Sequence, residues 1–231
     1  MSDPARDPDL QRRAAVFAAL GDPNRLAIVE ALALTDASPS DLEARLGIPS
    51  NLLAHHLDAL EAVGLICRTR SAGDGRRRYV RLASDAPVHP FRSDRVEASD
   101  VLFVCHHNSA RSQFAEVCWR QHSAIPAASA GLQPAARVHP LAVQASARRG
   151  LDLTGQVPRG YDQLSRVPGL VVSVCDLAFE DAVPFDDARR LHWSVPDPGA
   201  RSDSGAFDAA FDEIARRIHR LAPFVVPPPA A

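Results

Sequence analysis

The feature that most constrains the fold is a short apolar run that ends at a cysteine and is followed six residues later by an arginine. Residues 101–104, Val-Leu-Phe-Val, show no polar alternation and predict a fully buried strand. Cys105 comes directly after them, and Arg111 and Ser112 open a segment with a helical pattern. The sequence therefore predicts a strand, a tight loop and a helix in immediate succession.

This arrangement suits a site for a tetrahedral anion. The N–H groups of a tight loop and of a helix N-terminus converge on one point and favour negative charge there. The guanidinium of Arg111 can bind two oxygens of such an anion, and the same field stabilises a nucleophilic thiolate at Cys105. The alternative is a buried cysteine at a strand end, with Arg111 in an ordinary surface ion pair. The predicted oxyanion-binding loop adds His106, His107, Asn108, Ser109, Ala110 and Ser112.

Strands and helices alternate along residues 99–222. The pattern predicts further strands at 127–132 and 169–175, and a long terminal amphipathic helix that ends at Pro223. Such alternation predicts an α/β domain with a parallel, doubly wound sheet and a site at the carboxyl ends of its strands. Cys105 and Cys175 both fall at such ends.

Residues 10–83 predict a different architecture. Three or four short amphipathic helices precede two strands, at 65–70 and 78–82, around a Gly-rich turn. This order is typical of an α+β winged helix-turn-helix domain. Three other segments are predicted to carry no fold of their own. They are a disordered N-terminus at 1–9, a linker at 84–98 and a Pro-rich tail at 223–231.

The charge pattern favours DNA binding by this first domain. Residues 1–98 hold 13 arginines and no lysine against 14 aspartates and glutamates, so the domain as a whole is not basic. Residues 68–81, however, hold six arginines and only one acidic residue. Such a focus suits phosphate contacts from a hairpin, whereas a merely solvated hairpin would not need it. We expect Arg76, Arg77 and Arg78 to bind DNA.

Two stretches of the first domain carry a family resemblance. Ala19-Leu-Gly-Asp-Pro-Asn-Arg-Leu26 and His55-His-Leu-Asp-Ala-Leu-Glu-Ala-Val-Gly-Leu65 resemble the ArsR/SmtB family of metal-responsive repressors. The resemblance implies a homodimeric repressor that binds a double-stranded DNA operator through the helix from Pro49 to Val63. Its DNA-facing residues would be Ser50, Asn51, Ala54 and His55.

The paired histidines His55 and His56 have two interpretations, as a metal pair or as residues with separate roles. Adjacent helical residues point about 100° apart. We therefore expect one to face DNA and the other to pack, and we expect no metal site.

The anion loop carries a second resemblance. Cys105-His-His-Asn-Ser-Ala-Arg-Ser112 resembles the signature loop shared by low-molecular-weight tyrosine phosphatases and thioredoxin-coupled arsenate reductases. The likeness extends through Ser129-Ala-Gly131, Val171-Val-Ser-Val-Cys175 and His192-Trp-Ser-Val-Pro-Asp-Pro198. It implies that Asp197 is the general acid that protonates the leaving oxygen. The family usually has Gly where His107 stands, and often Cys where Ala110 stands.

The step after nucleophilic attack separates the two activities. A phosphatase hydrolyses its thiol adduct, whereas a reductase needs a second thiol that displaces arsenite and leaves a disulfide. Cys175 lies close to where the resembling reductases have their first resolving cysteine, and no second one stands near Ala182. Either Cys105 and Cys175 form a disulfide directly, or an external low-molecular-weight thiol or redoxin resolves the adduct. No tightly bound cofactor is expected.

The expected size of the substrate also distinguishes a tyrosine phosphatase from an arsenate reductase. The resembling phosphatases stack an aromatic substrate on tyrosines that follow the Asp-Pro pair, but here Gly199 and Ala200 follow Asp197-Pro198. The sequence therefore favours a small inorganic oxyanion, arsenate or phosphate, and arsenate is the prediction.

We therefore predict a bifunctional arsenic-resistance protein, in which a transcriptional repressor is fused to a thiol-dependent arsenate reductase. One alternative is a low-molecular-weight phosphatase acting on small esters; another is a non-enzymatic regulator that only senses an oxyanion.

A cytoplasmic location is expected, because four scattered cysteines form no disulfide framework and the polar N-terminus is unlike a signal peptide. No apolar run approaches the ~20 residues of a membrane helix.

Overall fold

The structure is a computed structural model that describes residues 7–84, 86, 95–164, 166–181, 184–185, 188–201 and 203–229. The described residues belong to two folding units. Residues 1–70 and 76–93 make the first unit, and residues 71–75 with 94–231 make the second. No helix in the described part of the chain is long and apolar enough to cross a membrane.

The helices of the first unit begin where the sequence provides caps. Its elements are α1 (Pro8–Leu20), α2 (Pro23–Ala31), α3 (Pro39–Leu46), α4 (Ser50–Ala62), β1 (Ile66–Arg70) and β2 (Arg78–Leu82). Asp7, Asp22 and Ser38 each accept a backbone hydrogen bond in the first turn of a helix that starts with proline. Gly47 ends α3 with a left-handed φ of 66°.

One apolar core holds these elements together. Leu53, Leu57 and Leu60, on the inner face of α4, are buried together with Leu42 of α3. The strands β1 and β2 pair in antiparallel register. Helix-turn-helix and hairpin together confirm the winged helix-turn-helix prediction.

The second unit is a parallel sheet flanked by helices. Its elements are β3 (Val96–Glu97), β4 (Val101–Cys105), α5 (Arg111–His122), β5 (Ala127–Gly131), α6 (Pro140–Ala147), β6 (Leu170–Ser173), α7 (Asp176–Glu180), β7 (Arg189–His192), α8 (Ser204–Leu221) and β8 (Val225–Val226). The main sheet has the order β5-β4-β6-β7, and all its strands are parallel. The α/β prediction is confirmed.

The site is expected between β4 and β6, the two central strands of the main sheet. Every residue of both strands is buried, as expected for strands covered on both faces. The chain leaves β4 toward β5 on one side and later returns to β6 on the other. The connections therefore diverge between β4 and β6, and such a switch point opens a crevice at the carboxyl ends of the strands.

Several boundaries differ from the predicted ones. The helix α1 begins at Pro8, inside the segment 1–9 that was predicted to be disordered. Val96–Glu97, in the predicted linker, pairs in parallel with Val225–Val226 in the predicted tail. Because of this pairing, the second unit extends beyond 99–222 at both ends. A strand of two residues is too short to show periodicity in the sequence, so no pattern predicted it. Residues 1–6, 85, 87–94 and 230–231 of these three segments lie outside the described residues.

Candidate active site and candidate DNA-binding surface

The anion loop surrounds the sulfur of Cys105 with donors. The Cys105 side chain is buried, and its Sγ lies 3.0 Å from Ser112 Oγ. The backbone N–H of Asn108 donates to the same sulfur at 3.2 Å. Asn108 achieves this with a left-handed φ of 48°, which Asn tolerates better than most residues. A thiolate at Cys105 is therefore provided with hydrogen-bond donors before any ligand arrives.

The other loop residues turn their carbonyl groups away from this centre. The carbonyls of His106, His107 and Ser109 accept backbone hydrogen bonds at 2.8, 2.9 and 2.9 Å from residues 133, 135 and 139. Ala110 is buried at the N-terminus of α5. With its carbonyls engaged outside, the loop leaves its N–H groups for the inner face, as an anion cradle requires.

His106 and His107 pack against each other, with ring centroids 4.3 Å apart in an edge-to-face arrangement. Burial lowers the pKa of His106, and the positive charges of His107 and Arg111 act in the same direction, against the opposing effect of Asp181 and Asp197. His107, where the family usually has Gly, places its Nδ1 3.1 Å from the carbonyl of Gln133. The loop thus accommodates both imidazoles without positive φ at either residue.

Arg111 and Asp197, far apart in the sequence, come together at the loop. The guanidinium of Arg111 is buried, and its Nη1 donates to the carbonyl of Val195 at 3.0 Å. Its Nη2 lies 3.5 Å from Asp197 Oδ1. Asp197 is 44% exposed and caps a short 3₁₀ helix by accepting from the N–H of Gly199 at 3.1 Å. The carboxyl group of Asp197 thus lies on the solvent-facing side of the Arg111 guanidinium, which the Val195 carbonyl holds in place.

Cys175 reaches the same edge of the sheet from β6. Val104 pairs with Ser173, and the N–H of Val174 donates to the carbonyl of Val104 at 2.8 Å. Burial raises the pKa of Cys175, and negative charge at Cys105 adds to this rise. Arg111 and the backbone N–H groups of Ala178 and His106 act in the opposite direction. The second thiol therefore lies beside the anion loop and shares its electrostatic field.

Sequence reasoning missed Tyr161. Its ring packs edge-on against Phe185 with centroids 6.0 Å apart, and its hydroxyl is buried without a hydrogen-bond partner among the described residues. Burial raises the pKa of Tyr161, as do the negative charges of Cys105, Cys175 and Asp181. The tyrosine therefore lies near both thiols, although no motif pointed to it.

Gly131 also belongs to the site. A Cβ at this position would lie 2.8 Å from the backbone N of Asn108 and 2.9 Å from the carbonyl O of His106. Both are main-chain atoms of the anion loop, so the end of β5 approaches the loop more closely than any side chain allows. The Ser-Ala-Gly motif is the sequence signal for this contact.

The other cysteines do not join the site. Cys118 is buried in α5, and burial raises its pKa to about 12. Cys67 is half-buried in β1. Among the described residues, no group of three His, Cys, Asp or Glu side chains is placed to hold a metal ion.

The expected DNA-facing residues share the outer face of α4, where Ser50, Asn51, Ala54 and His55 are exposed. His56 is buried instead, with its Nδ1 3.8 Å from Asp22 Oδ1 and its Nε2 3.4 Å from Asn24 Nδ2. The two adjacent histidines thus have separate surroundings.

The hairpin arginines differ in their surroundings. Arg76, Arg77 and Arg78 are exposed. Arg68 pairs with Asp58 at 2.6 Å and with Glu61 at 3.0 Å, both on α4. At least this hairpin arginine is balanced by carboxylates of its own unit, so the sequence count overstates the excess positive charge.

Comparison with known proteins places both units. Residues 100–226 match the family described as Low molecular weight phosphotyrosine protein phosphatase, and residues 20–67 match a helix-turn-helix domain. An arsenate reductase of Bacillus cereus (strain Q1) is 36% identical over 128 residues, which cover 52% of this chain and 92% of that protein. An arsenate reductase of Halalkalibacterium halodurans is 33% identical over 132 residues, covering 53% and 94%.

A solved structure agrees with the fold of the second unit. The tyrosine phosphatase Wzb from Escherichia coli K30, in complex with sulphate, superposes with a TM-score of 0.50 at 21% identity. The match covers 55% of this chain and 97% of that one, and it shows the fold alone. Through residues 100–226 the chain belongs to the low molecular weight phosphotyrosine protein phosphatase family, and it carries a helix-turn-helix domain before them.

Proposed function

We propose that the chain is a thiol-dependent arsenate reductase fused to a DNA-binding transcriptional repressor. The main support for the reductase activity is the position of Cys105 and Cys175. The two cysteines follow adjacent, paired strands and lie at the same edge of the sheet. Ester hydrolysis uses one thiol, whereas a two-electron reduction by thiols uses two. The similarity to curated arsenate reductases supports the same conclusion.

The first step forms a bond between sulfur and arsenic. The N–H groups of residues 106–112 and the guanidinium of Arg111 bind the oxygens of arsenate. The Cys105 thiolate attacks arsenic, the bond from arsenic to one hydroxyl oxygen breaks, and Asp197 protonates that oxygen so that water leaves. The exposure of Asp197 lets it regain a proton from solvent.

The second step transfers the electrons. The Cys175 thiol loses its proton and attacks Cys105 Sγ, so a disulfide forms while the sulfur–arsenic bond breaks. The electron pair of that bond goes to arsenic, which is reduced from As(V) to As(III) and leaves as arsenite. Two electrons from two thiols balance this reduction, and an external thiol or redoxin then reduces the disulfide. A low-molecular-weight thiol can instead take the place of Cys175.

Phosphatase activity is the second candidate, and a specific observation favours it. Cys105, Arg111 and Asp197 lie together, and hydrolysis of a phosphate ester needs no further thiol. This alternative gives no role to Cys175, and the Gly-Ala pair after Pro198 offers no aromatic wall for a phosphotyrosine. Small esters would then be the substrates.

The repressor half would bind double-stranded DNA as a homodimer in the cytoplasm. The exposed face of α4 with Ser50, Asn51, Ala54 and His55 would read base edges. Arg76, Arg77 and Arg78 would contact phosphates beside it.

The full chain incubated with arsenate and either a low-molecular-weight thiol or a thioredoxin system tests the enzymatic proposal. We expect arsenite to form with at least one donor, and Cys105→Ser to reduce the rate to background because the nucleophile is gone. Release of phosphate from small esters without arsenite formation would assign the phosphatase instead. If neither arsenite nor phosphate is formed, but an oxyanion releases the protein from DNA, the chain is a sensor without enzymatic activity.

A further inference from the structure

Cys105 and Cys175 form a pair of reduced thiols inside the second unit. Both residues are buried, and neither is part of a disulfide. The N–H of Val174 donates to the carbonyl of Val104 at 2.8 Å, so the two segments still run side by side where the cysteines follow. Such a pair has a chemistry besides electron transfer, because two neighbouring thiols can chelate one soft centre.

The two sulfur atoms lie at the start of the anion loop. The backbone N–H of Asn108 donates to Cys105 Sγ at 3.2 Å, and the backbone N–H of His106 stabilises a thiolate at Cys175. Negative charge at Cys105 raises the pKa of Cys175, so the two sulfurs interact directly. An arsenic atom between two sulfurs spans a wider gap than a disulfide bond of about 2.05 Å, and it therefore requires less movement of the two segments.

Trivalent arsenic suits this pair of ligands. Arsenous acid, the uncharged form of arsenite, has a soft central atom that exchanges hydroxyl groups for thiols. With two thiols it forms a dithioarsenite, in which arsenic keeps one hydroxyl group. Two bonds from arsenic to oxygen break, two bonds from arsenic to sulfur form, and the two thiol protons leave in two water molecules. Arsenic stays trivalent, so the step needs no oxidant or reductant.

Burial of the pair favours an uncharged product. Burial raises the pKa of the Cys175 thiol, because a thiolate is poorly solvated there. A dithioarsenite carries no charge, so the same burial does not oppose its formation. The hydroxyl of Tyr161 is buried without a hydrogen-bond partner among the described residues, and the charges of both cysteines raise the pKa of Tyr161. Tyr161 is therefore near enough to give the remaining arsenic hydroxyl a hydrogen-bond partner.

The other two cysteines offer no comparable pair. Cys67 is the only cysteine among residues 1–98, although this part of the chain resembles metal-responsive repressors. Cys118 is buried in α5, and the charged groups that act on it are Arg149 and Asp212. Residues 1–98 thus hold fewer thiols per chain than a chelate of trivalent arsenic uses, whereas the second unit holds two at one place.

We propose that Cys105 and Cys175 of the reduced protein bind trivalent arsenic as a dithioarsenite, so that the active site is also the arsenite-binding site of the chain. The inference rests on the proposed function in taking the two thiols as close enough to be joined. The disulfide form offers no thiol, so arsenite leaves during turnover and binds only after the disulfide has been reduced. Bound arsenite then excludes arsenate from Cys105.

The experiment measures bound arsenic without turnover. The full-length protein is reduced, freed of reductant under anaerobic conditions and dialysed to equilibrium against sodium arsenite, and the arsenic bound per chain is measured by elemental mass spectrometry. The test variants are Cys105→Ser and Cys175→Ser. Cys118→Ala and Cys67→Ala are the matched controls, since each removes one thiol outside the pair. In the parent protein, peptide mass spectrometry after iodoacetamide treatment maps the cysteines that arsenite protects.

We expect the parent to bind one arsenic atom per chain and arsenite to protect Cys105 and Cys175 from alkylation. Each serine variant should bind arsenite at least about tenfold more weakly, because a single thiol cannot chelate. Both alanine controls should bind as the parent does. The protection map uses the parent sequence, so it decides the question even if a variant does not fold.

Three results would overturn the inference. The first is parent-like binding in both serine variants, and the second is arsenite binding that leaves Cys105 and Cys175 unprotected in the parent. The third is arsenate reduction by a parent protein that holds no arsenite in its reduced form, in which case the proposed function stands without this site. If arsenite binds to the two thiols but arsenate is not reduced, the proposed function fails and the binding site stands.

Discussion

Cys105 and Cys175 follow residues that are paired in register, Val104 with Ser173, so both cysteines leave the sheet at one edge. The chain reverses its winding direction between these two strands, so Cys105 enters the anion loop while Cys175 begins a separate helix, α7. One cysteine can therefore hold the oxyanion while the other approaches from the side. Burial at the start of α7 raises the pKa of the Cys175 thiol.

Replacement of Cys175 by Ser should separate the two candidate activities. Arsenate reduction should fall sharply, because no internal thiol can displace arsenite, whereas cleavage of p-nitrophenyl phosphate should persist, since hydrolysis needs only Cys105. Arsenite formation and p-nitrophenol release, measured on the same preparation, check this. Undiminished reduction with an external thiol would show that Cys175 is only a buried strand-end residue.

The rate of arsenate reduction should depend on pH through the ionisation of the Cys175 thiol. Its folded pKa is raised by burial, so the reactive thiolate becomes more abundant as pH rises above the ordinary thiol range. The rate of arsenite formation under saturating arsenate should therefore increase from pH 7 to pH 9. Ester cleavage, which does not use Cys175, should lack this increase. Parallel profiles for both reactions would argue against Cys175 as the group that limits the rate.

Sequence reasoning reached the parts of the site that lie in one continuous segment. The buried strand, Cys105, Arg111 and the start of α5 follow each other along the chain, so local patterns sufficed. Tyr161 and Arg159 come from a short segment that shows no periodicity in the sequence. Backbone hydrogen bonds of Arg159 join that segment to the site: its carbonyl accepts from the N–H of Gly131, and its N–H donates to Asn108 Oδ1, both at 2.9 Å. The strand β7 was missed as well, because its exposed Arg189 and Arg190 hide the buried pair Leu191 and His192 that follows.

Gly131→Ala should loosen the anion loop. The added Cβ would lie 2.8 Å from the backbone N of Asn108, and main-chain atoms cannot move aside as a flexible side chain can. We expect a loss of about 1–3 kcal/mol in the free energy of unfolding, as for other overpacked sites, together with a higher KM for arsenate. Gly155→Ala is the matched control, because a Cβ there meets nothing within 4 Å. Urea unfolding and steady-state kinetics of both variants test this, and equal behaviour would contradict the close approach.

Tyr161→Phe should weaken substrate binding without weakening the fold. The hydroxyl is buried and has no partner among the described residues, so its removal costs no internal hydrogen bond and should raise Tm slightly. If the hydroxyl donates to an oxyanion bound above the two thiols, KM for arsenate should rise roughly tenfold, the equivalent of one hydrogen bond to a charged group. A higher Tm with an unchanged KM would mean that the hydroxyl makes no contact with substrate.

The wing should contribute affinity without sequence preference. Each phosphate-bound arginine adds about 0.9 to the slope of log affinity against log salt concentration. Changing Arg76, Arg77 and Arg78 together to Ala should therefore weaken binding to operator and random DNA alike and flatten that slope. Fluorescence anisotropy at several salt concentrations measures both quantities. A slope that stays at the parent value would place the phosphate contacts elsewhere.

Asn51 should show the opposite behaviour, because a side-chain amide on the exposed face of α4 can pair with a base edge. Asn51→Ala should cost roughly 1–3 kcal/mol at the specific operator and leave binding to random DNA and the salt slope unchanged. Asn51 is exposed, so truncation should not disturb the core formed by Leu53 and Leu57 on the inner face. The operator is first selected from a random DNA pool with the full-length protein, and both variants are then titrated against it. Equal losses on operator and random DNA would show that Asn51 contacts the phosphate backbone and that another face of the domain reads the sequence.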